Sequence, residues 1–192
     1  MNVVAFNGSM RKDGNTAILL RTVLHQLEKR GIETELIQLA GERIRGCQAC
    51  GECSRNQNKH CAITYDCVNE CIDRMLVADG IILGSPVYFS NVTAEMKALI
   101  DRAGYVIRAN GDLLQRKVGA AVVAVRRAGA IHVFNSMNHF FLISQMIIPG
   151  SSYWNIGIGR QIGDVEHDQE GLRTMIRLGE NMAWLLHKLK GK

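Results

Sequence analysis

Short apolar runs of strand length alternate along the chain with longer stretches whose apolar positions recur every third or fourth residue. Val3 to Phe6 is nearly all apolar and predicts a strand buried on both faces. Ala17, Leu20, Val23, Leu24 and Leu27 follow at helical spacing and stop before Gly31. Glu33 to Leu39 alternates enough for a second strand, with Leu36, Ile37 and Leu39 apolar. Tyr65 to Val77 reads as a helix that places Cys67 and Cys71 on one face. Gly80 to Gly84, apolar throughout, predicts a central third strand. A helix from about Thr93 turns Met96, Leu99 and Ile100 inward and pairs Lys97 with Asp101 across one turn. Val118 to Val125 predicts a fourth strand, and a helix with Phe134, Met137 and Phe141 on one stripe comes next. Ser152 to Ile158 predicts a fifth strand. In the closing helix, Glu170 to Leu189, the inner side is expected to carry Leu172, Met175, Ile176, Met182, Ala183, Leu186 and Leu189. Alternating strands and helices of this length predict an α/β fold with a doubly wound parallel sheet. No repeat or linker interrupts it, so residues 1–192 read as one domain.

Composition narrows the class. Hydrophobic residues are 47% of the 192 and charged residues 21%, a globular balance. The formal net charge of +5 invites phosphate-bearing cofactors or an acidic redox partner. The Lys and Arg residues are scattered and not interleaved with aromatics, which argues against nucleic acid. The N-terminus does not read as a signal peptide, and no apolar run nears the roughly 18–20 residues of a membrane span. A reducing cytoplasm is therefore the expected home, where clustered cysteines serve as metal ligands more often than as bridges.

Three strand-end loops and one cysteine run carry the candidate chemistry. The first loop, Asn7 to Thr16, leads from a strand into a helix N-terminus, where unpaired N–H groups and the helix dipole favour an anion. Ser9, Asn15 and Thr16 add side-chain donors and Arg11 adds positive charge; the plainer alternative is a capped helix after a turn, with Asn15 as the N-cap. Neither a Walker A loop nor a G-x-G-x-x-G fingerprint is present, so the loop has no motif for ATP or NAD. Ser85 to Asn91 and Arg126 to Ala130 follow the third and fourth strands, and such loops converge where open α/β sheets bind ligands. Tyr88, Tyr153 and Trp154 are candidates to stack on a planar ring. Between the second strand and the next helix, about residues 46–66, lies CQACGECSRNQNKHC. Cys47, Cys50 and Cys53 recur every third residue and Cys61 follows, a spacing nearer to iron–sulfur ligation than to the paired knuckles of zinc. Zinc, or free redox-active thiols, are the other readings, and His60 could stand in for Cys61. Cys67 and Cys71 read as small buried hydrophobes, with alternative ligation or a redox pair as rival roles.

In the order GSMRKDGNT, CxxCxxCx7C, SPVYFSNVTAEMKALIDR and RRAGA, these motifs resemble the iron–sulfur flavoproteins, within the flavodoxin-like NAD(P)H:FMN reductases. The resemblance covers nearly the whole chain. It implies a five-stranded sheet of order 2-1-3-4-5, FMN, one [4Fe–4S] cluster and a homodimer or homotetramer. It also implies electron transfer with a partner such as ferredoxin or with a small-molecule acceptor. Ser9, Arg11, Asn15 and Thr16 would then hold the FMN phosphate. Pro86, Val87, Tyr88, Phe89 and Asn91 would line the isoalloxazine on one side, and the loop with Arg126 and Gly129 its other edge. Cys47, Cys50, Cys53 and Cys61 would ligate the cluster. The alternatives are a cluster-free NAD(P)H-dependent FMN or quinone reductase, with the nicotinamide stacking directly on the flavin, and a zinc-bearing interaction module.

Overall fold

The computed structural model describes residues 1–41 and 43–191. Five strands, β1 (Asn2–Asn7), β2 (Glu33–Gln38), β3 (Gly80–Pro86), β4 (Val118–Val125) and β5 (Ile156–Ile158), form one parallel sheet of order β2-β1-β3-β4-β5. The order reverses at β1 and β3, where Val3 pairs with Gly80 on one side and Thr34 on the other. α1 (Asn15–Glu28) and α6 (Gln169–Leu189) pack one face of the sheet through Leu20, Val23, Met175 and Met182. α3 (Val68–Val77), α4 (Ala94–Ala109) and α5 (Ala130–Ile143) pack the other through Ile72, Met75, Leu99 and Phe141. With both faces covered, β3 and β4 are apolar and buried along their length, each Ile or Val contributing about 1.5–3 kcal/mol. β2 lies at an edge and keeps the half-buried alternation of its sequence. A short helix, α2 (Glu52–Asn56), sits inside the cysteine segment.

Several boundaries differ from the sequence expectation for local reasons. Asp66 Oδ1 accepts the N–H of Val68, so α3 begins at Val68 instead of Tyr65, with Cys67 at its N-cap. β5 is shorter than Ser152–Ile158 because Asn155 is drawn inward: its Nδ2 donates to Ala121 O at 2.9 Å, while its own O accepts from Val123 N. The N-cap of α1 is Gly14 rather than Asn15. In α6 the inner stripe runs through Thr174, Met175, Leu178, Met182, Ala183 and Leu186. Ile176 and Leu189, expected inside, are exposed. No helix among the described residues is long and apolar enough to cross a membrane.

Candidate flavin and iron–sulfur sites

The loop after β1 is braced from below. Asn7, fully buried, donates from Nδ2 to Gln38 Oε1 at 2.6 Å and accepts the Ser9 N–H at 3.1 Å, and Gln38 Nε2 donates to Ser9 O at 2.7 Å. Gly8 N donates to Gly84 O, and Thr93 Oγ1 donates to Gly8 O at 2.8 Å, so the neighbouring strand and the N-cap of α4 fix the loop. A side chain at Gly8 would sit 3.0 Å from Met96 Cβ and 3.1 Å from Gly84 O, which keeps that position bare. The first helical bond of α1 runs from Ile18 N to Gly14 O. The N–H groups of Asn15, Thr16 and Ala17 therefore precede the helical ladder, and the first turn contains no acidic residue. Thr16 Oγ1 is buried with no hydrogen-bond partner. A buried hydroxyl left so is costly, and an anion at the helix terminus would satisfy it. The donor set thus fits a phosphate. Ser9 and Thr16 are buried in this loop, whereas Arg11 is exposed. Asn15 turns aside: its Nδ2 donates to Gln161 O at 2.8 Å and its Oδ1 accepts from Gly163 N at 2.9 Å, tying α1 to the segment after β5.

Beyond β3, Tyr88 and Asn91 exchange backbone hydrogen bonds of 3.0 Å around Phe89 and Ser90, whose φ angles are 47° and 59°. Two consecutive left-handed residues without glycine make a strained turn, and such strain gathers at functional sites. Phe89 is fully exposed and Tyr88 nearly half so. Pro86 closes β3 and Val87 N donates to Ala124 O at 3.0 Å, which ties this loop to β4. Gly129 closes the next loop at φ +84°, where an added Cβ would fall 2.7 Å from Ser90 Oγ. The two loops therefore touch at a point only glycine fits, with Arg126 and Arg127 exposed beside it. Ser90 and Asn91 also border a shallow open depression with His132, Asn135, Ser136 and His139 of α5. His132 and His139 fall at i and i+7, on one face of that helix. Tyr153 and Trp154 lie elsewhere. They meet edge to face at 4.6 Å before β5, in a groove with Phe134, Leu142 and Ile148 along α5.

The thiols of the cysteine segment share one chamber. Cys47, Cys50, Cys53 and Cys61 line a cavity of about 170 Å³, closed on its inner side by Ile63, Arg102 and Val106. That is several times the ~30 Å³ share of one water. Among the described residues no three His, Cys, Asp or Glu side chains are grouped to hold a metal ion. Four thiols lining one chamber are a donor set of the kind that takes soft metal centres, iron–sulfur clusters among them. The segment wraps the chamber with left-handed residues Ala49, Gly51, Gln57 and Lys59, and Ala49 N donates to Cys47 Sγ at 3.4 Å. Asn69 holds Cys61 by both backbone groups, at 2.8 and 2.9 Å. His60 Nε2 lies 2.9 Å from Asp73 Oδ1 and is not among the residues lining the chamber. The six cysteines form no disulfide. Cys67 and Cys71 line a separate cleft with Glu35, Ile37 and Glu70. A hydrogen bond with Cys67, reinforced by burial, pushes the Cys71 thiol up.

Arg102 and Asp66 anchor this segment to α4, and the sequence reading passed over both. Their side chains are almost wholly buried and paired at 2.5 Å. Burial would raise the Asp66 carboxyl, yet bonds from Arg102 and from the N–H groups of Arg45 and Val68 hold it below its ordinary value. The available signal was an arginine falling inside the apolar stripe of Leu99, Ala103 and Val106. From Thr93, bonded to the loop after β1, to Arg102, beside the thiols, is about 14 Å along α4 at the usual helical rise.

Residues 1–161 match the NADPH-dependent FMN reductase family. An iron–sulfur flavoprotein of Methanocaldococcus jannaschii is 39% identical over 99% of this chain and 100% of its own length. Another, from Methanosarcina thermophila, is 32% identical over 99% of this chain and 97% of its own. The solved structure of RosB with bound 8-demethyl-8-formylriboflavin-5′-phosphate superposes with a TM-score of 0.76 at 20% identity, covering 100% of this chain and 81% of that one, a likeness of fold alone. Kinship along the whole length, on the five-stranded sheet just described, makes this chain a member of the iron–sulfur flavoproteins, FMN-dependent oxidoreductases of the NADPH-dependent FMN reductase family.

Proposed function

We propose that the chain is an electron-transfer flavoprotein that carries FMN and a [4Fe–4S] cluster and passes electrons between a partner such as ferredoxin and an acceptor. The observation that carries this reading is the single chamber lined by Cys47, Cys50, Cys53 and Cys61. When bound, FMN supplies hydride and single-electron chemistry and the cluster supplies single electrons. The chain's own part is to bind and orient. Thr16 Oγ1 and the N–H groups at the start of α1 receive the FMN phosphate, with Ser9, Arg11 and Asn15 at its margin. Pro86, Val87, Tyr88, Phe89 and Asn91 seat the ring, and Arg126, with Gly129 giving close approach, offsets negative charge at its other edge. The four thiolates hold the cluster.

An acidic partner suits the charge distribution. Between Asp112 and Asp164 the sequence contains no Asp or Glu, and of its cations Arg126, Arg127 and Arg160 are exposed at or near the C-terminal ends of β4 and β5. Exposed Tyr153, Trp154 and Trp184 support a homodimer or homotetramer that would cover them. A second reading, a cluster-free NAD(P)H-dependent FMN or quinone reductase, draws support from the family matched by residues 1–161. Replacing Cys50 by serine separates the two. The first reading expects loss of iron and of electron transfer to the protein partner. Unchanged pyridine-nucleotide oxidation, with no iron in the parent protein, favours the second.

A further inference from the structure

Arg102 is 1% exposed, on the inner stripe of α4. A buried cation is tolerated when its donors are used and a counter-charge is present. Nη1 donates to Asp66 Oδ2 at 2.5 Å and to Arg45 O at 3.1 Å, and Nη2 donates to Ile63 O at 2.9 Å. Those bonds clamp the chain on both sides of the cysteine segment. Nε makes a different bond. Its single hydrogen is donated to Cys61 Sγ at 3.3 Å, on a sulfur that faces the chamber. The forked end alone ties Arg45, Ile63 and Asp66 to α4, whereas the Nε bond bears on a sulfur of the chamber.

Resting on the reading that these thiols hold an iron–sulfur cluster, we propose that Arg102 is a positioning residue that orients Cys61 and raises the cluster's reduction potential. Accepting one electron, here from a low-potential reductant, adds one negative charge with no bond made or broken and no proton moved. A cation and an N–H donor at a ligating sulfur stabilise the more negative state more than the other, which moves the potential upward. Asp66 accepts from Nη1 of the same guanidinium, and its carboxylate damps the effect. Arg102 and Asp66 therefore act in opposite senses.

The test is a dithionite titration of the reconstituted protein, followed by electron paramagnetic resonance, with iron, sulfide and circular dichroism measured on each sample. Asp66→Asn keeps the Nε bond and removes the opposing charge. It should raise the reduced-to-oxidised ratio at fixed potential about tenfold, a positive shift of about 59 mV for one electron. Arg102→Met combined with Asp66→Asn avoids an unpaired buried carboxylate and should lower the ratio below wild type by a similar factor. Iron-loaded variants whose potentials match wild type overturn the inference. So does loss of iron from both, which would leave Arg102 a staple alone. If wild type itself takes up no iron, the parent reading fails first and this one falls with it.

Discussion

Thr16 shows how a single atom can point to a ligand. Its hydroxyl is buried without a partner, so the protein without flavin bears a polar group that nothing satisfies. Thr16→Val should leave the stability of the flavin-free protein unchanged or slightly higher. FMN binding should weaken about tenfold, the value of a hydrogen bond of roughly 1.5 kcal/mol to a charged group. Fluorescence titration with FMN, paired with urea unfolding, measures both, and equal losses in the two would refute the assignment. Thr16 was legible as a candidate because a helix N-terminus after a strand-end loop is a local pattern. Arg102 was not, since its meaning depends on Asp66 and Cys61, distant in sequence, arriving at the same side of α4. Asn15, a candidate phosphate donor or cap by its sequence, braces Gln161 and Gly163, again through partners far along the chain.

Elements followed their apolar patterns where both faces are covered and departed where one side chain redirected the backbone. β1, β3 and β4 were legible for the first reason, while Asn155 shortened β5 and Asp66 delayed α3 for the second. The contact between the loops after β3 and β4 has no periodic signature and depends on Gly129. Gly129→Ala should cost roughly 1–3 kcal/mol through backbone strain and collision with Ser90. Retention of FMN on gel filtration should fall with it, and a variant that unfolds and binds like wild type would show the loops to be independent. At the far end of the sheet, Asp79 joins the start of β3 to the N-terminus and to the end of α6. Its carboxylate accepts from Asn2 N at 3.0 Å and pairs with Lys190 at 2.8 Å. Burial would raise its pKa, but these partners hold it below the ordinary value. A depressed carboxylate contributes stability that is full above its unfolded value of about 3.9 and is lost as pH falls through the folded one. Asp79→Asn should therefore cost about 1 kcal/mol at neutral pH, allowing for the exposure of Lys190, and the difference should shrink as acid protonates the folded carboxylate. Urea midpoints across that range give the answer, and a constant difference would contradict it.

For the whole molecule, the candidate loops lie along the sheet's C-terminal edge and the cysteine chamber lies against α4. The acid-free span from Asp112 to Asp164 builds β4, its loop, α5 and β5, and exposes Arg126 and Arg127 in the loop that touches the turn after β3. Reversing both arginines to glutamate should slow reduction by an acidic protein partner at least about tenfold at low ionic strength and flatten the salt dependence. Stopped-flow rates at two salt concentrations read this directly, and salt-dependent rates equal to wild type would exclude docking there. The cysteine chamber was legible as a motif. Its seat against α4 was not, because a segment with three non-glycine residues in left-handed conformation takes its shape from what surrounds and fills it. The most direct test of two redox centres in one small fold is the iron, acid-labile sulfide and flavin content of the chain purified and reconstituted without oxygen. The prediction is one FMN with four iron and four sulfide per chain, and loss of the iron when Cys50 or Cys61 becomes serine. Flavin bound at full stoichiometry with no iron or sulfide would contradict it.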